Sequence, residues 1–234
     1  MIQALQRRVE PELLDGLEID DPRALRSRID LRRLNRAMAT LSIVMRAMDR
    51  ATADFRPTRM LELGAGDGSL MLRLARQQAS RWPDVEVTLL DRLNLVAAGT
   101  LAGLREVGWT PEVVAMDVFD WLGRPAGERW DIVMSNLFVH HFSSRELTQL
   151  LAGIAARTEV FFCCEPRRSV VPLAGSHLIG LLGAGSVTRH DAPSSVHAGF
   201  RAQELSELWP DAINWDLYEY PAGLFSHCFL AIRR

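Results

Sequence analysis

Lysine is missing from this chain. All 27 basic residues are arginine, which reads as compositional bias of the genome and carries no functional message. Cysteine is scarce: Cys163, Cys164 and Cys228 are the only three. An odd number with one adjacent pair makes no disulfide framework, and no Cys-x-x-Cys is present to hold zinc. A reducing, cytoplasmic setting is therefore expected. Excess charge is also absent, since the net value is -2, so composition gives no reason to expect a nucleic-acid partner. Long apolar runs are lacking too. The greasiest segment, 170–187, is broken by Pro172, His177 and four glycines, so no membrane span is expected. The opening residues lack the continuous apolar stretch of a signal peptide. Neither an internal repeat nor a low-complexity segment appears.

What is present is an ordinary globular composition over 234 residues, 48% hydrophobic and 24% charged. That is enough for one large domain or a domain with a small appendage. Residues 1–22 are polar and acidic and read as a loosely held arm. From Arg23 to Arg50 the pattern is helical, with Leu31, Leu34, Met38, Leu41, Met45 and Met48 at spacings of three and four and arginines opposite. Pro57 closes this region, which divides the chain into 1–56 and 57–234. Beyond it, short apolar runs begin near Met60, Val85, Glu112, Asp131 and Glu159 and alternate with helical patterns. This is the signature of a parallel sheet covered on both faces. Two further strand-like runs, 213–220 and 227–232, are separated by Pro221-Ala-Gly223 and fit an antiparallel finish.

The strongest motif is "MLELGAGDGSL", residues 60–70. A strand ends at Leu63, glycines follow at 64, 66 and 68, and Leu70, Met71, Leu74 and Ala75 mark the inner face of a helix. Glycines at such a turn let backbone approach a ligand, and the helix start behind them is electropositive. The spacing Gly-x-Gly-x-Gly departs from the Gly-x-Gly-x-x-Gly of dinucleotide enzymes. Asp91 ends the second strand, where a carboxylate can accept ribose hydroxyls. Asp117 ends the third. With the Val118 backbone N–H it can read the amino edge of an adenine, or it can simply cap the next helix.

Glu62-Leu-Gly-Ala-Gly-Asp-Gly68, Asp91, Asp117-Val118 and the stretch from Asp131 to Asn136 resemble, in order and spacing, the successive motifs of class I S-adenosylmethionine-dependent methyltransferases across roughly residues 58–165. The resemblance implies an α/β fold: a doubly wound, mostly parallel seven-stranded sheet (Rossmann-like) with the N-terminal helix as lid. It implies S-adenosyl-L-methionine as cofactor, held by Glu62, Gly64, Gly66, Gly68, Asp91, Asp117 and Val118, with Asn136 on the same edge. The phrase "NLFVHHF" is similar to one in quinone-biosynthesis and natural-product members. The resemblance implies an enzyme, and the apolar faces of Met38, Met45 and Met48 and of Leu178, Ile179, Leu181 and Leu182 suggest a small acceptor, aromatic or polyketide-like. A pairing of two copies stays open.

The strand from Asp131 to Phe138 is expected beside the first, so His140 and His141 stand beyond its carboxyl end, where a methyl group leaves sulfur. Methyl transfer is an in-line displacement that needs alignment and, for a hydroxyl, loss of a proton. Imidazole suits that task. His140 is the favoured general base, with His141 orienting the acceptor or packing structurally, because neighbours in extended chain point apart. The competing reading is structural: Ser143 with Glu146 is a capping-box signature. A metal site on two histidines needs a further ligand, for which Glu165 is available on paper; no metal is expected, and Glu165 is expected to orient a histidine or to pair with Arg167 or Arg168. His190 and His197 mark a polar loop, and Arg201 and Glu204 the helix after it. The alternatives are a nucleic-acid methyltransferase, suggested by the arginines of 23–59, a nicotinamide dehydrogenase, and a non-catalytic protein that retains the fold.

Overall fold

The computed structural model describes residues 5–125 and 127–234. Seven strands form one sheet: β1 (Arg59–Leu63), β2 (Glu86–Asp91), β3 (Thr110–Ala115), β4 (Trp130–Asn136), β5 (Thr158–Pro166), β6 (Trp215–Ala222) and β7 (Ser226–Arg233). Their order is β3-β2-β1-β4-β5-β7-β6. The first five pair in parallel, and β7 runs antiparallel to both β5 and β6. Strand order therefore reverses between β1 and β4, and a crevice opens at their carboxyl ends.

Strands β4, β5 and β7 are largely apolar because both of their faces are buried. Successive residues feed two separate cores. Met60, Ile132, Met134, Phe162 and Leu230 belong to one; Leu61, Leu63, Val133, Phe161 and Phe229 belong to the other. Helix α3 (Ser69–Gln78) covers the first face with Leu70, Met71, Leu74 and Ala75, the four residues its periodicity marked. Helix α6 (Ser144–Ala155) covers the second with Leu147, Leu150, Leu151 and Ile154. A capping box starts α6: Ser143 accepts from the Glu146 N–H, and the Glu146 carboxylate accepts from the Ser143 N–H. Helices α4 (Ala98–Glu106) and α5 (Val118–Leu122) follow β2 and β3.

Four local expectations are corrected. The N-terminal helical pattern is two helices, α1 (Pro22–Ala37) and α2 (Thr40–Ala51), because Ala39 takes a left-handed conformation with φ 55°. Asp21 caps α1 by accepting the Arg23 N–H, with Pro22 in the first turn. Helix α2 is buried against the sheet through Ile43, Val44, Ala47 and Met48, so only α1 lies over the crevice. Strand β4 stops at Asn136, not Phe138, because Leu137 turns to φ 52°. The segment around His190 and His197 is no loop; it is helix α8 (Ser186–Ala198), which packs on α7 (Val170–Leu178) and α1. Arg201 is irregular and Glu204 lies in a turn before a short 3-10 segment at Ser206–Leu208.

The expected loose arm is the largest correction. Residues 5–16 are strapped across the carboxyl edge of the sheet. Arg7 donates to the carbonyls of His140, Phe142 and Ala198 at 3.1, 2.9 and 2.8 Å. The Leu13 and Leu14 N–H groups donate to the Asp191 carboxylate at 2.9 and 3.0 Å. A polar arm with no periodicity of its own is ordered because its backbone donors find buried acceptors on α8. Residues 1–4 lie outside the described residues.

Candidate active site

Gly64, Gly66 and Gly68 all have positive φ, at 64, 54 and 68°. Gly64 also has no room for a side chain: a Cβ there would sit 2.3 Å from the Phe138 ring. A Cβ on Gly66 would meet nothing within 4 Å, so this glycine presents bare backbone to open space. Gly68 caps α3. The loop is tied to the end of β2, with the Ala65 N–H on the Leu90 carbonyl at 3.1 Å and the Gly66 N–H on Asp91 Oδ2 at 2.8 Å. The other Asp91 oxygen accepts the Leu93 N–H at 2.9 Å. Each oxygen keeps a second lone pair for a ligand. Asp67, in the same loop, accepts from Ser69 and pairs with Arg32 of α1 at 2.8 Å. Burial pushes the Asp67 carboxyl up, but these partners outweigh it and hold it below its usual range.

Glu62 stands behind this loop on β1, buried, with Oε2 lacking any hydrogen-bond partner. Desolvation first, then the charges of Asp67 and Asp91, raise its carboxyl to about 8. Asn136 Oδ1, at the end of β4, is likewise buried and unpartnered. Such atoms are rare in a finished core and mark a place completed by something else.

A cavity of about 700 Å³ opens from the loop, within the range of small-molecule sites. Gly64, Gly66, Asp91, Asp117 and Val118 line one end. Glu12, His140, His141 and Glu165 line the other. Between them stand Leu31, Leu34 and Met38 from α1 and its end, Ile179 after α7, and Val196 of α8. Of the residues expected to hold a cofactor, Glu62, Gly68 and Asn136 are therefore not on the cavity wall. Asp117 caps α5 by accepting the Phe119 N–H at 2.8 Å and also lines the cavity. A smaller hollow of about 400 Å³ at Asp54, Arg56 and Arg81 lies at the opposite, amino-terminal edge of the sheet.

The histidines are set by Glu165 at the end of β5. Its Oε1 accepts the Phe138 and Val139 N–H groups, each at 3.1 Å, and its Oε2 lies 2.6 Å from His140 Nδ1. Glu165 thus orients a histidine as expected, while Arg168 pairs with Glu204. Val139–His141 is a 3-10 turn, not extended chain, so the two imidazoles do not point apart. Their rings lie 4.2 Å apart at 32°. His140 is 2% exposed, and its Nε2 faces Glu12 Oε1 at 3.6 Å with no hydrogen bond. The Glu12 carboxylate also takes a short hydrogen bond from the Ser195 hydroxyl. His141 is more open and lies 3.7 Å from Asp15.

Burial alone would depress His140, but Glu12 and Glu165 overcome it and raise it to about 9. Burial would raise Glu12, but His140 chiefly, with His141 and Ser195, brings it to about 2. His141 is lowered by burial and by the charge of His140. Glu12, Asp15 and Ser195 carry no signal in the sequence, because their role exists only through the strap and α8. His190 and His197 do not line the cavity; His190 is exposed beside Asp191.

No family model and no curated protein matches the chain in sequence. Solved structures match in fold. The plantazolicin methyltransferase BpumL in complex with SAH aligns over 92% of each chain at 11% identity and a TM-score of 0.63. The magnesium protoporphyrin IX methyltransferase ChlM from Synechocystis PCC 6803 with bound SAH aligns over 94% of this chain and 91% of its own, at 16% identity and 0.55. The pyocyanin biosynthetic protein PhzM aligns over 96% of this chain and 62% of its own, at 17% and 0.59. The strand order, the glycine turn and these alignments together give the chain the α/β fold of the S-adenosylmethionine-dependent methyltransferases.

Proposed function

We propose that this protein is an enzyme that transfers a methyl group from S-adenosyl-L-methionine to a small acceptor, aromatic or polyketide-like, at a hydroxyl oxygen. One observation carries the reading: a single continuous cavity joins the glycine turn and its acids to the paired histidines. The cofactor's nucleoside fits the first end, where Asp91 takes the ribose hydroxyls and Asp117 with the Val118 N–H takes the adenine. The bare backbone of Gly64 and Gly66 on the cavity wall suits the charged amino-acid part, with the unpartnered groups of Glu62 and Asn136 buried behind it. The cofactor supplies an electrophilic methyl on a sulfonium, which is already a good leaving group.

The chain's own work is then alignment and exclusion of water. Leu31, Leu34 and Met38 roof the acceptor, and the strap closes the edge beside it. His140 and His141 are the catalytic pair of this reading, because they line the same cavity as the glycine turn and would flank an acceptor hydroxyl that faces the sulfonium. Four of the six arginines of α1 already face carboxylates, Arg23 at Asp21, Arg26 and Arg33 at Asp30, and Arg32 at Asp67, which weighs against the nucleic-acid alternative. The fold's homologous use with a dinucleotide is disfavoured by the glycine spacing.

Calorimetry tests the core of the proposal without knowledge of the acceptor. SAH is expected to bind and NAD not to bind, and Asp91→Ala is expected to weaken SAH at least tenfold while the far-ultraviolet dichroism stays native. Absence of SAH binding by the native chain would end the methyltransferase reading.

A further inference from the structure

We infer that Glu12, His140 and His141 form a binding site for one divalent transition-metal cation of the zinc class at the acceptor end of the cavity. The inference deepens the methyltransferase reading and rests on it for the cation's use, though not for its binding. From sequence, two histidines lack a third ligand, and Glu165 is a candidate on paper. The fold supplies a different one, Glu12, from the strap.

The donor set is two imidazoles and one carboxylate, the composition of a catalytic site that keeps an open position. One ligand atom from each residue lies within 4.8 Å of the other two. The 3.6 Å from His140 Nε2 to Glu12 Oε1 is close to the roughly 3.4 Å edge of a tetrahedron with bonds of about 2.1 Å. His140 Nε2 is buried, aimed into the cluster and without a hydrogen-bond partner. Behind it, Glu165 holds Nδ1 at 2.6 Å and is itself fixed by two backbone N–H groups. A carboxylate on the far nitrogen sets the tautomer that turns the other lone pair toward a metal. Glu12 is held in turn by Ser195, and the next two residues of the strap by Asp191. Two carboxylates, one ligating and one behind His140, balance a charge of two in a buried place. Imidazole donors select zinc, cobalt or iron over magnesium or calcium.

The cation's open position faces the cavity. Charge drawn from an acceptor hydroxyl makes its proton easier to lose to water. The oxygen lone pair then forms the carbon–oxygen bond as the carbon–sulfur bond breaks, its electron pair passing to sulfur; the cation is unchanged. On this assignment the histidines are ligands, and no general base is needed among them.

The test uses the full, tag-free chain, stripped with chelator and titrated with Co²⁺ at pH 8. Saturable visible absorption of tetrahedral intensity is expected at one cation per chain, displaced by Zn²⁺. Glu12→Gln and His141→Gln are each expected to weaken Co²⁺ tenfold or more, and Glu165→Gln by roughly 10–100-fold. SAH calorimetry on the same samples reports the fold, and no change is expected there. No saturable absorption in the native chain overturns the site, as does unchanged Co²⁺ affinity in both ligand variants. SAH binding without Co²⁺ binding removes the cation alone. Co²⁺ binding without SAH binding removes the methyltransferase reading and leaves the site standing.

Discussion

Glu62 offers the sharpest test of how the cofactor end is built. Its carboxyl is raised from 4.5 to about 8 by burial and by the charges of Asp67 and Asp91. A group whose folded pKa is raised stabilises the native state fully only below its unfolded pKa, and that contribution is lost as pH rises toward the folded one. For Glu62 the window runs from 4.5 to about 8. Between pH 4.5 and pH 7 the loss is about 3 kcal/mol at 1.36 kcal/mol per pH unit. Glu62→Gln keeps the shape and cannot ionise. Urea unfolding of the ligand-free native and variant proteins at pH 5, 6, 7 and 8 isolates the effect, because the other groups cancel in the difference. The variant is expected to gain on the native protein by about 2–3 kcal/mol between pH 5 and pH 7. Parallel stability curves would show that Glu62 ionises freely and refute the reasoning. A second consequence concerns ligand. A cationic amino group beside Glu62 favours its charged form, so SAH binding at pH 7 is expected to release close to one proton, visible as a dependence of binding heat on buffer ionisation enthalpy. Glu62→Gln is expected to abolish that dependence.

Other outcomes follow from single contacts. Gly64→Ala and Gly66→Ala both strain a positive φ, but only at Gly64 does the new Cβ also run into the Phe138 ring, while at Gly66 it meets open space; thermal melting should show both destabilised by about 1–2 kcal/mol of backbone strain and Gly64→Ala by about 1–3 kcal/mol more, while Gly66→Ala loses SAH affinity. Glu165→Ala leaves two backbone N–H groups and His140 without their acceptor, so chemical denaturation should show a loss of about 3–5 kcal/mol. Asp191→Ala removes the acceptor of two strap amides; hydrogen exchange at Leu13 and Leu14 is expected to accelerate while β1 and β4 amides stay protected, and unchanged exchange would mean the strap is held elsewhere.

The sheet was legible because its evidence is local. Five apolar runs bounded by helical periodicity, a glycine triplet, and acids at strand ends are all patterns within about ten residues. Even the order of β1 and β4 follows from a general rule of doubly wound sheets. The inner face of α3 and the capping box of α6 were readable for the same reason. The break at Ala39 was not, since neither Met38 nor Ala39 is a helix breaker; their conformation is imposed by packing α1 over the crevice and α2 against the core. Nor was the helical state of 186–198, because its polarity and Pro193 outweigh a buried stripe of Val187, Thr188, Asp191 and Val196 that becomes meaningful only against the strap and α1.

By itself, the sequence determined the α/β architecture, the glycine turn with Asp91 and Asp117, and the placing of two histidines just past a central strand, because spacing along one chain fixes which groups reach the carboxyl edge of a sheet. Only the tertiary structure decided what surrounds those histidines. Glu12 and Glu165 are separated from His140 by 128 and 25 positions, and no periodicity links residues that meet through a strap and a neighbouring strand. The charge state, orientation and ligand capacity of a buried imidazole depend on the groups within a few ångströms of it, and folding alone brings those groups there.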